Sequence, residues 1–219
     1  MTKFIYILFL LVLSLSSYAQ RIYNVVDYGA VGNKIVDDAK AIQQAIDECS
    51  ANGGGTVLLP ANHTFMSGPL CLKSNVNLHL EATAVLLANP DEGIYKLSAF
   101  GENRGEGMMW IYANGADNIS ITGKGTIHGN GIAFMGKELD DSYELKPVTT
   151  FDPRPHVLTL TDVKNLTIRD ITIRDGAYWT VHLIGCDGAV IDGISLLNNL
   201  KIRNGDGIDL DHSRNVRIS

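Results

Sequence analysis

Asn165-Leu166-Thr167-Ile168-Arg169-Asp170-Ile171-Thr172-Ile173 decides the fold. Leu166 and Ile168 alternate with polar residues, and after a break at Arg169-Asp170 so do Ile171 and Ile173. This is the period of two short half-buried strands joined by a turn. The form recurs at Asn118-Ile119-Ser120-Ile121, Gly188-Ala189-Val190-Ile191 and Asn215-Val216-Arg217-Ile218. The closing isoleucines, Ile121, Ile168, Ile191 and Ile218, stand 47, 23 and 27 residues apart. Short alternating strands at this spacing predict the coils of a parallel β-helix, in which each coil buries one strand face and stacks on its neighbours. The step of 47 is either two coils or one coil carrying an insertion. The polar stretch from Gly129 to Pro155 lacks the repeat and is a candidate insertion.

One helix precedes the strands. Asp37 and Asp38 are N-cap candidates, Ile42, Ala45, Ile46 and Cys49 share a helical face, and Asn52-Gly53-Gly54-Gly55 is a stop. Such a helix suits the open end of a solenoid, where it covers apolar side chains and unpaired strand edges. The expected class is therefore all-β: a single-stranded, right-handed parallel β-helix with an N-terminal capping helix. The first 19 residues read as a signal peptide: Lys3, the apolar run Phe4 to Leu13, and Ser17-Tyr18-Ala19 at a cleavage site. Residues 20–219 then form one β-helix domain, exported to the periplasm or outside the cell. The apolar run is too short to span a bilayer.

The repeat also sets a register. The same steps applied to the strands before each motif align Leu160, Leu183 and Leu210, and likewise Leu158, Val181 and Ile208, as inward residues. Between them lies an outward column of Thr159, His182 and Asp209, with Tyr112 one step of 47 earlier. A second outward column holds His156, Trp179 and Asp206, with Met109 before it. Aromatic rings beside carboxylates suit a groove for a sugar chain, because rings pack on sugar faces and carboxylates accept hydroxyl hydrogen bonds. The competing reading is a merely polar outer face.

Asp206, Asp209 and Asp211 fall within six residues, and Gly205 and Gly207 flank the first of them. Hydrolysis of a glycosidic bond requires a carboxylic acid to protonate the leaving oxygen and a carboxylate to act as base or nucleophile. The flanking glycines are expected to let the backbone turn sharply and place Asp206 in the cleft. Aspartates beside glycines are also common turn residues.

The formal net charge of −6 argues against a nucleic-acid partner. It also opposes an anionic polymer unless the cleft is locally basic, and Lys201, Arg203, Arg214 and Arg217 cluster in sequence around the closing motif. Cys49, Cys71 and Cys186 match no zinc spacing and are expected as buried small hydrophobes, with one bridge possible but not predictable.

Asn204-Gly205-Asp206-Gly207-Ile208-Asp209 with Asn215-Val216-Arg217-Ile218 resembles the N-T-D-G-I-D…N-V-x-I segment of glycoside hydrolase family 28, the polygalacturonases and rhamnogalacturonan hydrolases. Trp179-Thr180-Val181-His182…Cys186 resembles its W-T-x-H…C segment, and Arg154-Pro155 the R-P of its bacterial members. Tyr28-Gly29-Ala30-Val31-Gly32 through Gly68-Pro69-Leu70 is similar to the N-terminal part of the wider pectin-acting, pectin-lyase-like superfamily.

The resemblance implies a metal-free, cofactor-free hydrolase that cleaves pectic chains with inversion and acts as a monomer. It implies a catalytic role for Asp206 and a binding role for Asn204. Arg154, His156, Trp179, His182 and Asp209 complete the expected substrate-binding set. The family's paired aspartates, which include the general acid, would lie about one coil beyond Ser219, so the chain is expected to be C-terminally truncated and inactive by itself. Gly205 stands where the family usually has threonine, which is expected to loosen the setting of Asp206. Together with the following Asp209-Leu210-Asp211 it points toward rhamnogalacturonan or modified pectin. The alternatives are a non-catalytic carbohydrate-binding solenoid and a calcium-dependent pectate lyase.

Overall fold

The computed structural model describes residues 21–100, 106–139, 142–148 and 153–219. The leader, residues 1–19, lies outside the described residues. Three parallel sheets wind around one apolar core. A seven-stranded sheet contains Ile22–Asn24, Gly55–Leu59, Val76–Leu80, Ser120–Gly123, Lys164–Arg169, Asp187–Asp192 and Arg214–Ile218. A six-stranded sheet runs from Asn33–Asp37 to Ser195–Leu197. A five-stranded sheet contains Leu70–Cys71, Met108–Asn114, Pro155–Thr161, Val181–Ile184 and Ile208–Asp211.

The asparagines and glycines of the repeat stand where the chain turns into the seven-stranded sheet. Asn118, Asn165, Gly188 and Asn215 all have left-handed backbones, with φ of 58°, 58°, 80° and 56°. Asparagine and glycine adopt this conformation more readily than other residues. Asn75, at φ 66°, is an earlier member of the same corner. Side chains close the corner as well. Asn118 Nδ2 donates to Asn75 Oδ1 at 2.9 Å, and Asn165 Nδ2 donates to Asn118 Oδ1 at 3.1 Å.

The step of 47 is one coil with an insertion. Ser120–Gly123 pairs directly with Lys164–Arg169, and Met108–Asn114 with Pro155–Thr161. The extra residues, 129–154, include an antiparallel hairpin of Met135–Glu138 and Leu145–Pro147. An earlier insertion, residues 89–107, leaves the same corner one coil before.

Helix α1 (Ala39–Ala51) buries the expected face, with Ile42, Ala45, Ile46 and Cys49 fully covered. It packs on Gly55–Leu59 and Leu70–Cys71. Its Gln43 side chain substitutes for a neighbouring strand: Nε2 donates to the Cys71 carbonyl at 2.9 Å, and the Cys71 N–H donates to Oε1 at 2.8 Å. A sheet edge that would otherwise be open is thereby satisfied. Asp38 occupies the N-cap position without capping. Its carboxylate instead accepts the N–H groups of Val31 and Gly32 at 2.7 and 3.0 Å, and Asp37 accepts that of Ala39 at 2.8 Å. The three cysteines are unbridged. Cys49 and Cys186 are buried as expected, whereas Cys71 is only half-buried.

Candidate active site

The outer face of the five-stranded sheet carries the predicted columns in the predicted register. Tyr112 pairs with Thr159, Thr159 with His182, and His182 with Asp209. His156 pairs with Met109, the Val157 N–H reaches the Trp179 carbonyl at 3.0 Å, and the Thr180 N–H reaches the Asp206 carbonyl at 2.9 Å. Asp206 therefore stands one coil above Trp179, at the leading end of Ile208–Asp211. It is exposed, and Asp209 is half-buried behind it.

Gly205 and Gly207 do not supply the turn at Asp206. Neither has a left-handed backbone, and the turn is taken at Asn204, at φ 58°. A Cβ at position 205 would meet the Ile202 carbonyl oxygen at 3.3 Å, so a side chain fits there with slight adjustment.

Arg154, expected to touch substrate, lies beneath the face at 1% exposure. Its Nη1 donates to the carbonyls of Ala177 and Arg203 at 2.8 and 2.9 Å, and Nη2 to Asn204 Oδ1 at 3.4 Å. The guanidinium sits 4.8 Å from the centre of the Tyr178 ring. It straps together the loops of successive coils, and Asn204, two residues before Asp206, is one of its anchors. Asn198 holds the same loop from the other side: Nδ2 donates to Thr180 Oγ1 at 2.6 Å and to the Gly205 carbonyl at 2.9 Å.

His156 is also covered rather than presented. Tyr178 stacks on it at 5.1 Å, while Phe100 and Trp179 stand 5.5 and 5.2 Å away. Both of its ring nitrogens are buried without a hydrogen-bond partner. Burial, and secondarily His182, pushes its pKa down to about 3, so the ring stays neutral. His182 is lowered by burial, against the opposing pull of Asp211. Asp209 is pushed up to about 6, mainly by burial and further by Asp206, and its buried Oδ2 has no partner.

An open pocket of about 540 Å³ lies over this surface, lined by Ala99, Phe100, Trp179, His182 and Asp209–Asp211. Phe100 and Tyr178 were missed in the sequence. Phe100 comes from an insertion outside the repeat, and Tyr178 is masked by its neighbour Trp179. A larger groove, about 770 Å³, follows the asparagine corner from Asn52 to Asn118, but no carboxylate or aromatic ring lines it.

The expected basic cluster does not converge on the site. Lys201 pairs with Glu138, Arg203 with Glu144 at 3.0 Å, and Arg214 with Asp187 at 2.8 Å. Arg214 and Arg217 belong to the seven-stranded sheet. Among the described residues no group of three or more His, Cys, Asp or Glu is arranged to hold a metal ion, and no helix is long and apolar enough to cross a membrane.

An exposed carboxylate, a half-buried one whose pKa is pushed up to about 6, and ring walls lie together along one face of a parallel β-helix. The family model for glycosyl hydrolases family 28 matches residues 49–219, and the chain belongs to that family. A Vitis vinifera relative named "Probable polygalacturonase" is 30% identical over 211 residues, covering 89% of this chain and 40% of its own length. A mannuronan C5-epimerase of Azotobacter vinelandii is 34% identical over 188 residues, covering 78% of this chain and 18% of its own. The solved family 28 exopolygalacturonase of Yersinia enterocolitica superposes with a TM-score of 0.76 at 28% identity, covering 90% of this chain and 42% of that one. The architecture is thus the right-handed, pectin-lyase-like β-helix. The chain spans about two fifths of the length of the polygalacturonase relatives it matches.

Proposed function

We propose that this chain is part of an exported glycosidase that hydrolyses a pectic polysaccharide with inversion. The observation that carries the reading is Asp206: an exposed carboxylate close to Asp209 and one coil above Trp179, both of which line an open ring-walled pocket. In this mechanism Asp206 takes a proton from a water molecule as that water attacks the anomeric carbon. A second carboxylic acid protonates the departing glycosidic oxygen as the bond breaks. Inverting enzymes separate the two carboxyl groups by roughly 6.5–9.5 Å. An acid on the next coil would meet that spacing, since stacked strands lie about 4.8 Å apart and side chains add reach. The family resemblance supplies such an acid beyond the residues of this chain. We therefore expect the 219-residue chain to bind sugar without turnover.

The test is Asp206→Asn in the full-length enzyme, assayed on pectic substrates. Turnover should fall by about 10³-fold or more with Kd for substrate within about threefold of the parent. Near-normal turnover would remove Asp206 from the chemistry. A second reading, sugar binding without cleavage, is favoured by the ring wall of Phe100 and Trp179 being formed within this chain. A full-length protein that binds and yields no product would establish it. Export is checked by the N-terminal sequence of the secreted protein, which should begin near Gln20.

A further inference from the structure

The chain holds four Asn-Gly pairs: Asn52-Gly53, Asn114-Gly115, Asn130-Gly131 and Asn204-Gly205. A glycine after asparagine leaves its backbone nitrogen open to approach the side-chain amide, because no Cβ stands in the way. In three of the pairs that nitrogen is held. The Gly53 N–H donates to the Ser50 carbonyl at 3.1 Å, the Gly115 N–H to the Thr161 carbonyl at 3.0 Å and the Gly131 N–H to the Asp175 carbonyl at 2.8 Å. Asn130 is tied further through Nδ2, which donates to the Ala88 carbonyl at 3.0 Å. The fourth pair is held by other atoms. The Gly205 carbonyl accepts from Asn198 Nδ2 at 2.9 Å, and Asn204 Oδ1 accepts from Arg154 Nη2 at 3.4 Å. The Gly205 nitrogen has no acceptor among the described residues, and Asn204 is exposed. Backbone conformation does not separate the pairs, since Asn130 and Asn204 are both left-handed, at φ 53° and 58°.

We propose that Asn204 is a modification site, at which this chain deamidates spontaneously. The Gly205 nitrogen gives up its proton and attacks Cγ of Asn204. An N–Cγ bond forms, the Cγ–Nδ2 bond breaks and ammonia leaves, closing a five-membered succinimide. Water then opens the ring at either carbonyl and gives aspartate or isoaspartate at 204. Negative charge builds on Oδ1 during the attack, and the Arg154 guanidinium donates to that oxygen. The product carboxylate in the aspartate form keeps this partner as a charge-assisted pair. The isoaspartate form lengthens the backbone by one methylene, two residues before Asp206, whose carbonyl accepts the Thr180 N–H at 2.9 Å. Gly205 is the enabling residue. The threonine that usually stands at this place in the family would crowd the nitrogen with its β-branch.

Peptide mapping by mass spectrometry tests the site. The 219-residue chain is held at mildly alkaline pH, one sample folded and one in denaturing urea, where all four pairs are open. In the folded chain Asn204 should convert at least about tenfold faster than Asn52, Asn114 and Asn130, because reaction at those three waits on local opening. In urea the four rates should fall within about threefold of one another. Gly205→Thr should slow conversion at 204 by about tenfold or more, and Gly205→Ala by a smaller factor. A side chain fits at 205, where a Cβ would meet the Ile202 carbonyl oxygen at 3.3 Å. Conversion at 204 no faster than at the other three pairs in the folded chain, or unslowed by both substitutions, would overturn the proposal. The modification does not depend on the pectic reading, but its consequence does. With Asp206 as the group that activates water, turnover of the full-length enzyme should fall in step with isoaspartate at 204. Turnover that holds while 204 converts would overturn this consequence and leave the modification standing.

Discussion

Along the asparagine corner, Asn75, Asn118 and Asn165 stack one coil apart, and each side chain is bonded to the next. Along the five-stranded sheet, Tyr112, Thr159, His182 and Asp209 stack in successive coils, yet Thr159 Oγ1, His182 Nδ1 and Asp209 Oδ2 are buried without partners. The repeat builds both columns, but only the first closes on itself. A satisfied ladder stabilises the corner and has little left to offer a ligand. The unsatisfied column carries the cost of buried polar atoms without partners.

The largest expected effect that would break this contrast is at Arg154, which lies beneath the face that carries Asp206. Arg154→Ala leaves the Ala177 and Arg203 carbonyls without their donor and opens a cavity under Tyr178. It should cost about 3 kcal/mol or more in urea unfolding. Sugar-dependent quenching of Trp179 should also be lost, with partial recovery in Arg154→Lys. Unchanged stability would mean that the strap is incidental.

A smaller effect concerns His156, whose folded pKa of about 3 lies below its unfolded value. A group depressed in this way binds more protons when unfolded. Its contribution is complete above about pH 6.5 and is lost as pH falls through the window toward 3. Asp209 acts in the opposite sense, because a carboxyl raised to about 6 favours folding as it takes up its proton. Comparison of the wild type with His156→Phe isolates the histidine. The variant should have a flatter acid limb in Tm, worth about 2 kcal/mol at pH 5. Parallel limbs would show that the imidazole is partnered in solution.

The smallest effect sharpens the other side of the comparison. Asn165→Ala forces alanine into a left-handed backbone and breaks the ladder, and should cost about 1–2 kcal/mol. Asn165→Gly should lose only part of that. Neither should alter sugar binding, because the corner lies on a different sheet from the pocket. A change in binding would connect the two columns.

Much of this molecule is legible in the chain because the solenoid is nearly one-dimensional. Each coil contacts its neighbours, so steps of 47, 23 and 27 residues specify the pairing of His182 with Asp209 and of Thr159 with Tyr112. Alternation along each strand then separates Leu160 and Leu183, both fully buried inside, from the outer columns. Even there the pattern states direction and not burial. Leu210 points inward like Leu183 but is 49% exposed, since no further coil covers it in this structure.

The roof over the face that carries Asp206 was not legible. Phe100 arrives from an insertion with no period, and Tyr178 closes over His156, so a residue predicted to face solvent is enclosed. The partners of Lys201 and Arg203 come from the inserted hairpin and its turn, which removes the basic cleft suggested by their spacing. The sequence by itself determined the coil, the register and the position of Asp206, because these follow from alternation and from turns that only Asn, Gly and a few others tolerate. Tertiary structure alone decided what covers each column, which charges are already paired and which polar atoms remain unpaired, because those depend on how aperiodic loops pack across coils.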